Sequence, residues 1–295
     1  MDLVSTVQRF PKAGETLAGL DFYKTLGGKG ANQAVGCARL GGRVEMAGQV
    51  GLDDYGEALI QGLRREHIGT YGISKSRYEP TGMALITVEK SGENNMVVIY
   101  GANMTYSKEV LHRSETLLKE ASLLMIQNEV SLSLNIEVAE IAKSFGVPVI
   151  WDPAPGIKDA GNLASLATYV TPNRIEAGYL AGIEVEDKDS AFEVCDIIHS
   201  NYGCVPIITL GEEGVSYLYE GRFVHRNAME TNVVDTVGAG DAFAAGFSVS
   251  LSGGSCIDQA IEFGLASAAL AVCKQGAQTA MPFFEDVNHF METNS

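Results

Sequence analysis

The chain has no excess of basic charge, few cysteines and no long apolar run, and each absence removes a class of function. Its 21 Lys and Arg face 37 Asp and Glu, a formal net charge of -16. A basic footprint for nucleic acid or for an anionic membrane surface is therefore missing. The five cysteines, Cys37, Cys195, Cys204, Cys256 and Cys273, form no C-x-x-C pair and are odd in number. They read as reduced thiols, mostly buried, of a cytoplasmic protein rather than as a disulfide frame or zinc site. No stretch reaches the roughly 20 apolar residues that a membrane helix needs. The opening MDLVSTVQRFPKAGE lacks the apolar core of a signal peptide. His67, His112, His199, His225 and His289 show no metal-ligand spacing, and no repeat of fixed period is visible. Low-complexity stretches are absent too, so disorder is expected only in the last few residues, Glu292 to Ser295.

What remains is a chain of 295 residues, 46% hydrophobic, long enough to bury a sizeable core. Two β-rich blocks stand out near the start. Leu3 to Leu26 is punctuated by Pro11, Gly14 and Gly19, and Thr81 to Tyr100 reads as a hairpin around Ser91-Gly92-Glu93-Asn94. Between them, Gly30 to Leu40 has helical spacing. Beyond residue 105, apolar runs at 123–126, 147–151, 169–171 and 205–210 alternate with amphipathic helices. Runs without polar alternation suit strands covered on both faces. The pattern predicts an α/β fold, a doubly wound and mostly parallel sheet flanked by helices, with ligands beyond the carboxyl ends of the strands. Two helices, 239–251 and 256–272, fill the last quarter.

Four segments carry possible chemistry. In Asp235-Thr236-Val237-Gly238-Ala239-Gly240-Asp241, a strand-like 231–234 leads into a helix start. Small residues at 238–240 let a ligand approach backbone amides at the positive end of the helix, and Asp241 could accept a hydroxyl proton there. Phosphoryl transfer needs those two parts together. The plain alternative is an ordinary capped helix. Gly27-Gly28-Lys29-Gly30-Ala31-Asn32-Gln33 offers backbone amides, an ammonium and a carboxamide to an oxygen-rich ligand, but is no Walker A loop; it is otherwise a glycine turn. Thr171-Pro172-Asn173-Arg174-Ile175-Glu176 places Asn173 and Glu176 on one helix face, for Mg²⁺ through water or simply as a helix start. Thr209-Leu210-Gly211-Glu212-Glu213-Gly214 borders a nucleotide or makes a β-turn.

Taken together and in this order, these segments and Asp152-Pro153-Ala154-Pro155 resemble the ribokinase, or PfkB, family of carbohydrate kinases over essentially the whole chain. The resemblance implies a single domain, 1–295, with a small β-sheet lid from about 3–26 and 80–103, and lids that pair into homodimers. It implies an ATP-dependent kinase of a small sugar, ribose first, with fructose, 2-keto-3-deoxygluconate or a nucleoside as alternatives. A non-catalytic sugar-binding protein on the same fold is the remaining reading. Asp241 would be the base, with Gly238, Ala239 and Gly240 forming the anion hole. Asp2, Gly28, Lys29, Asn32 and Glu129 would hold the sugar. Asn173 and Glu176 would support Mg²⁺ and the phosphates, and Thr209, Gly211 and Gly214 would lie near ATP. Asp235, Val237, Ala271, Lys274 and Gly276 match the site of an activating K⁺, although Ala280 stands where relatives often have Ser. The resemblance also implies a strand ahead of Asp2, which this sequence does not contain, so two sheet edges are expected to be open.

Overall fold

The computed structural model describes residues 1–157 and 160–294. The first third alternates between two sheets. Strand β1 (Asp2–Val7) and β2 (Asp21–Thr25) are followed by helix α1 (Lys29–Arg39), β3 (Glu45–Gly51), α2 (Asp54–Arg65), β4 (Gly69–Ser76), β5 (Met83–Glu89) and β6 (Asn94–Ile99). Strands β2-β1-β5-β6 make a four-stranded sheet in that order. The β5–β6 hairpin turns at Gly92, whose φ of 96° suits glycine. Strands β3 and β4 form a separate parallel pair.

The rest is layered α/β. Helix α3 (Lys108–Leu118) leads to β7 (Leu124–Gln127), α4 (Leu132–Ser144), β8 (Val149–Asp152), the single turn α5 (Gly161–Ala164), β9 (Tyr169–Val170), α6 (Arg174–Ala181), α7 (Lys188–Tyr202) and β10 (Val205–Thr209). Strands β7-β8-β9-β10 are parallel neighbours, and β11 (Val215–Tyr219) and β12 (Arg222–Arg226) extend the sheet as an antiparallel meander. The helices α8 (Ala239–Ser252), α9 (Ile257–Ala271) and α10 (Phe284–Thr293) complete the chain.

The apolar runs read from the sequence are strands because both of their faces are covered. Ile150, Trp151, Val170, Ile207 and Ile208 are almost wholly buried. Each such side chain contributes about 1.5–3 kcal/mol relative to exposure. Trp151 belongs to that core, and its indole N–H is satisfied by Asn128 Oδ1 at 3.0 Å.

One expectation changes. Residues 231–234 form no strand: Val233 and Val234 are exposed, and the amides of Val234 and Asp235 donate to the carbonyl of Val272 at the end of α9. The α10 helix runs to Thr293. The thiols are mostly buried, as the sequence suggested: Cys37, Cys195 and Cys204 lie inside, with burial pushing each up to about 12, while Cys256 is exposed and Cys273 half-buried. The six-stranded sheet ends at β12 and β7, and the two-stranded sheet consists of β3 and β4.

Candidate active site

The loop before α8 turns at Gly238, whose φ of 82° and close approach to the backbone of Ala277 (a Cβ would lie 3.0 Å from its Cα) both call for glycine. Gly240 is different: a side chain there would meet nothing within 4 Å, so the space in front of it is open. The amide of Ala239 donates to Thr236 at 3.2 Å and is not free for a ligand. Among the described residues, the amides of Gly238, Gly240 and Asp241 have no such partner. Of the amides read from the sequence as an anion hole, those of Gly238 and Gly240 are thus unpartnered within the protein and that of Ala239 is engaged.

Asp241, in the first turn of α8, is 5% exposed. Helix α1 meets it head on. Asn32 Nδ2 donates to Asp241 Oδ2 at 2.9 Å, and Gln33 Nε2 donates to Oδ1 at 3.0 Å. Gln33 also donates to Asp152 Oδ2 at 2.7 Å and accepts from Gln127 Nε2 at 2.5 Å. Asn32 Oδ1 is buried with no protein partner. An acceptor left in that state costs about 1–3 kcal/mol, so it favours a ligand that brings a hydroxyl donor.

The start of α1 gathers the next set. Gly28 has a φ of 100°, and the amide of Lys29 donates to Glu129 Oε2 at 2.8 Å. A Cβ on Gly27 would overlap the carboxylate of Asp2, so that glycine is what lets Asp2 lie across the turn. Burial raises the carboxyls of Asp2, Glu129 and Glu176 above their ordinary values. Asp152 is pushed up to about 7, by burial first and then by Asp241 and Glu176. Burial alone would lower the Lys29 ammonium, but Asp241, Asp152, Glu129 and Glu176 together raise it. One ammonium thus stands among a ring of carboxylates, a field suited to cationic or hydroxyl-rich partners and to a metal-neutralised phosphate chain.

Glu176 and Asn173 first serve each other. Asn173 Oδ1 accepts from the Glu176 amide at 3.0 Å, and Glu176 Oε2 accepts from the Asn173 amide at 2.9 Å, a reciprocal cap on α6. That leaves Glu176 Oε1, in the field of Lys29, as the oxygen available to a cation. The neighbouring strand end carries Thr209, which bridges to Asn173 and donates its amide to Pro172 at 2.9 Å. Gly211 (φ 66°) and Gly214 (φ 97°) shape the turn that follows. Arg174 pins that turn through Glu213 at 2.8 Å. The 171–176 and 209–214 segments are therefore one continuous border.

Asp235 joins two loops. Its Oδ1 accepts from Val237 N at 3.0 Å and its Oδ2 from Gly276 N at 2.9 Å. Lys274 donates its amide to the carbonyl of Ala271, which is buried at the end of α9. These groups are all hard oxygen donors or their carriers, and a carboxylate keeps lone pairs beyond the two in use. The donor set fits a monovalent cation. Among the described residues, no group of three or more His, Cys, Asp and Glu is placed to hold a metal. Mg²⁺ fits instead as an ion that keeps several waters and leans on Glu176.

The sequence matches the family described as pfkB family carbohydrate kinase over residues 1–283. The chain belongs to the pfkB family of carbohydrate kinases. It is 39% identical to the ribokinase of Haemophilus influenzae over 291 residues, covering 99% of this chain and 95% of that one. It is 32% identical to the deoxyribokinase of Salmonella typhi, covering 100% and 96%. Among solved structures, Arabidopsis thaliana ribokinase complexed with ribose and ATP superposes with a TM-score of 0.89 at 29% identity, covering 99% and 95%. The chain is thus a sugar kinase with a ribokinase-like fold.

Within that family setting, three residues of the site received no role from the sequence. Gln33 lies one helical turn beyond Lys29, Asp152 ends the apolar run of β8, and Gln127 ends β7. The last two carried a signal, since polar residues at the carboxyl ends of parallel strands border ligands in this class of sheet. Gln33 carried only its i+4 spacing from Lys29.

Proposed function

We propose that this chain transfers the γ-phosphate of ATP to a hydroxyl of ribose, most simply the primary one, giving ribose 5-phosphate. The observation that carries the reading is Asp241: a buried carboxylate at a helix start, beside unpartnered amides and an unpartnered Asn32 oxygen. Sugar hydroxyls fit the Asp2, Gly28, Lys29, Asn32 and Glu129 ring, which offers acceptors and donors alike. Asp241 accepts the proton of the attacking hydroxyl, while the amides of Gly238, Gly240 and Asp241 stabilise charge on the phosphoryl group in flight. Asn32 and Gln33 hold the carboxylate in one orientation. ATP lies along the border of Asn173, Thr209, Gly211 and Gly214. Glu176 would hold Mg²⁺, which would supply charge neutralisation for the phosphates. A K⁺ held by Asp235 and the carbonyls of Val237, Ala271, Lys274 and Gly276 would fix the loops that carry the amides.

The sheet β2-β1-β5-β6 serves as a lid that excludes water. Its β6 strand is exposed throughout, with Val97 61% and Met96 53% open. An apolar surface of that kind supports a homodimer formed lid to lid. Val97→Glu is expected to shift the chain to monomer in sedimentation at micromolar concentration. Among the described residues no helix is long and apolar enough to cross a membrane, and we place the enzyme in the cytoplasm. The test of function is ADP release with Mg²⁺ over a panel of ribose, 2-deoxyribose, fructose, 2-keto-3-deoxygluconate and nucleosides, with and without K⁺. Ribose should give the highest kcat/KM. Preference for 2-deoxyribose would move the assignment within the family, and sugar binding without ADP release would favour a binding protein.

A further inference from the structure

Strands β7 and β8 end in register on Gln127 and Asp152, so both side chains leave the same face of the sheet. There they meet Gln33 of α1, which is almost wholly buried. Gln33 touches two carboxylate oxygens, Asp152 Oδ2 at 2.7 Å and Asp241 Oδ1 at 3.0 Å. Ionised carboxylates only accept, so the end of the Gln33 amide between them is its NH₂, and one hydrogen goes to each. Its carbonyl then faces the other way, where Gln127 Nε2 donates to it at 2.5 Å. Gln127 Oε1 in turn lies over Gly30, where a Cβ would come within 2.9 Å of it. Orientation therefore passes along the row without ambiguity, from the two acids back to the end of β7.

The rear of the row is pinned as well. Buried Asn135 of α4 donates Nδ2 to the backbone carbonyl of Gln127 at 2.7 Å, and the amide of Ala154 donates to Asp152 Oδ1 at 3.2 Å. A buried polar network fixes one geometry only when its members are satisfied in this way. Before transfer, Asp241 is purely an acceptor and helps hold the Gln33 NH₂ in place. As the sugar oxygen bonds to phosphorus and ADP leaves, the hydroxyl proton stays on Asp241, whose carboxyl is then a donor too. An unrestrained Gln33 amide would turn over to accept that proton. It would then present its carbonyl to Asp241 once the proton is lost, acceptor against acceptor. The hydrogen bond from Gln127 to Gln33 Oε1 opposes that turn.

We propose that Gln127 is a positioning residue for the phosphoryl transfer: it locks the Gln33 amide and so keeps Asp241 aimed at the sugar hydroxyl through successive turnovers. It acts through Gln33 and not on the reacting atoms. The same row gives Gly30 a task, since a side chain there would push the Gln127 amide off its line to Gln33. The inference rests on Asp241 as the base and holds for whichever sugar is the substrate.

The test uses the full chain with saturating ATP and Mg²⁺ and the sugar of highest kcat/KM from the panel above. Gln127→Met keeps the length but cannot donate, and Gln127→Glu keeps the shape but sets an acceptor against the Gln33 carbonyl. Each should lower kcat at least about tenfold, while KM for sugar and sugar affinity by Trp151 fluorescence stay within about threefold. In a Gln33→Leu background the same substitutions should cost less than about twofold more, because the link they act through is gone. A kcat of Gln127→Met within about threefold of the parent overturns the proposal. So do losses that simply multiply with that of Gln33→Leu, which would make Gln127 a packing residue. Asp241→Asn, run beside them, keeps two failures apart. If it stays active, the base assignment falls and this proposal with it; if it collapses while Gln127→Met does not, only the positioning role falls. Should one Gln127 variant fail to fold, the other carries the same comparison.

Discussion

Replacing Asp241 by Asn separates proton acceptance from everything else the residue does. The side chain keeps its shape, and one oxygen still accepts from Asn32 or Gln33. Both of those partners are donors, at 2.9 and 3.0 Å, so the new NH₂ faces one of them and one hydrogen bond is lost. That loss is worth about 0.5–1.5 kcal/mol of stability. It is offset because one carboxylate leaves a ring that also holds Asp152, Glu129 and Glu176 around Lys29. The thermal midpoint should therefore move by only a few degrees. Catalysis should fall far more: loss of a positioned base lowers kcat by roughly 10²–10⁴, about 3–5.5 kcal/mol of barrier. The chain has one tryptophan. Trp151 is buried immediately before Asp152, so its fluorescence reports ligand binding at the site. Sugar affinity by that signal should stay within about threefold of the parent, while ADP release collapses. A kcat within about tenfold of the parent would refute the role of Asp241 as base, and a parallel loss of sugar binding would show that the carboxylate serves recognition instead.

Gln33→Leu keeps the volume but removes the amide that ties Asp241 to Asp152; kcat should drop at least about tenfold with KM for sugar little changed, whereas a purely structural role would lower the thermal midpoint and leave kcat of the surviving fold intact. Gly27→Ala places a methyl group against the Asp2 carboxylate, so KM for sugar should rise at least about tenfold in steady-state assays, more than kcat falls. Asp235→Ala releases Gly276 and Val237, and should abolish the response of ADP release to added K⁺. Stability of the ligand-free chain should fall as pH rises from about 4 through about 7 and then level off. Asp152, moved from 3.8 to about 7, binds a proton in the folded state that the unfolded chain has already released over this window, and Asp2, Glu129 and Glu176 shift in the same direction. A shift of that size is worth about 4 kcal/mol at most for Asp152. Urea denaturation at several pH values checks it, and a rise in stability across the window would contradict the buried ring of carboxylates.

Local pattern and long-range assembly were unequally legible in the sequence. Apolar runs such as 147–151 and 205–210 announce strands because burial on both faces removes polar alternation, and Gly238-Ala239-Gly240-Asp241 announces a helix start because small residues and an acid suit its unpaired amides. Residues 231–234 misled the same reasoning. Two β-branched valines favour a strand only when a partner edge is present, and here the backbone instead finds the carbonyl of Val272. The reciprocal cap of Asn173 and Glu176 follows from their spacing, yet spacing alone could not say that Glu176 also faces Lys29, far earlier in the chain. The same holds for Gln33. Its amide bridges Asp152 and Asp241, 119 and 208 positions away, and such contacts are set by how α1, β8 and α8 pack rather than by any local signal. The site is therefore a property of three element ends brought together by the sheet. Its precision depends on the packing at those ends.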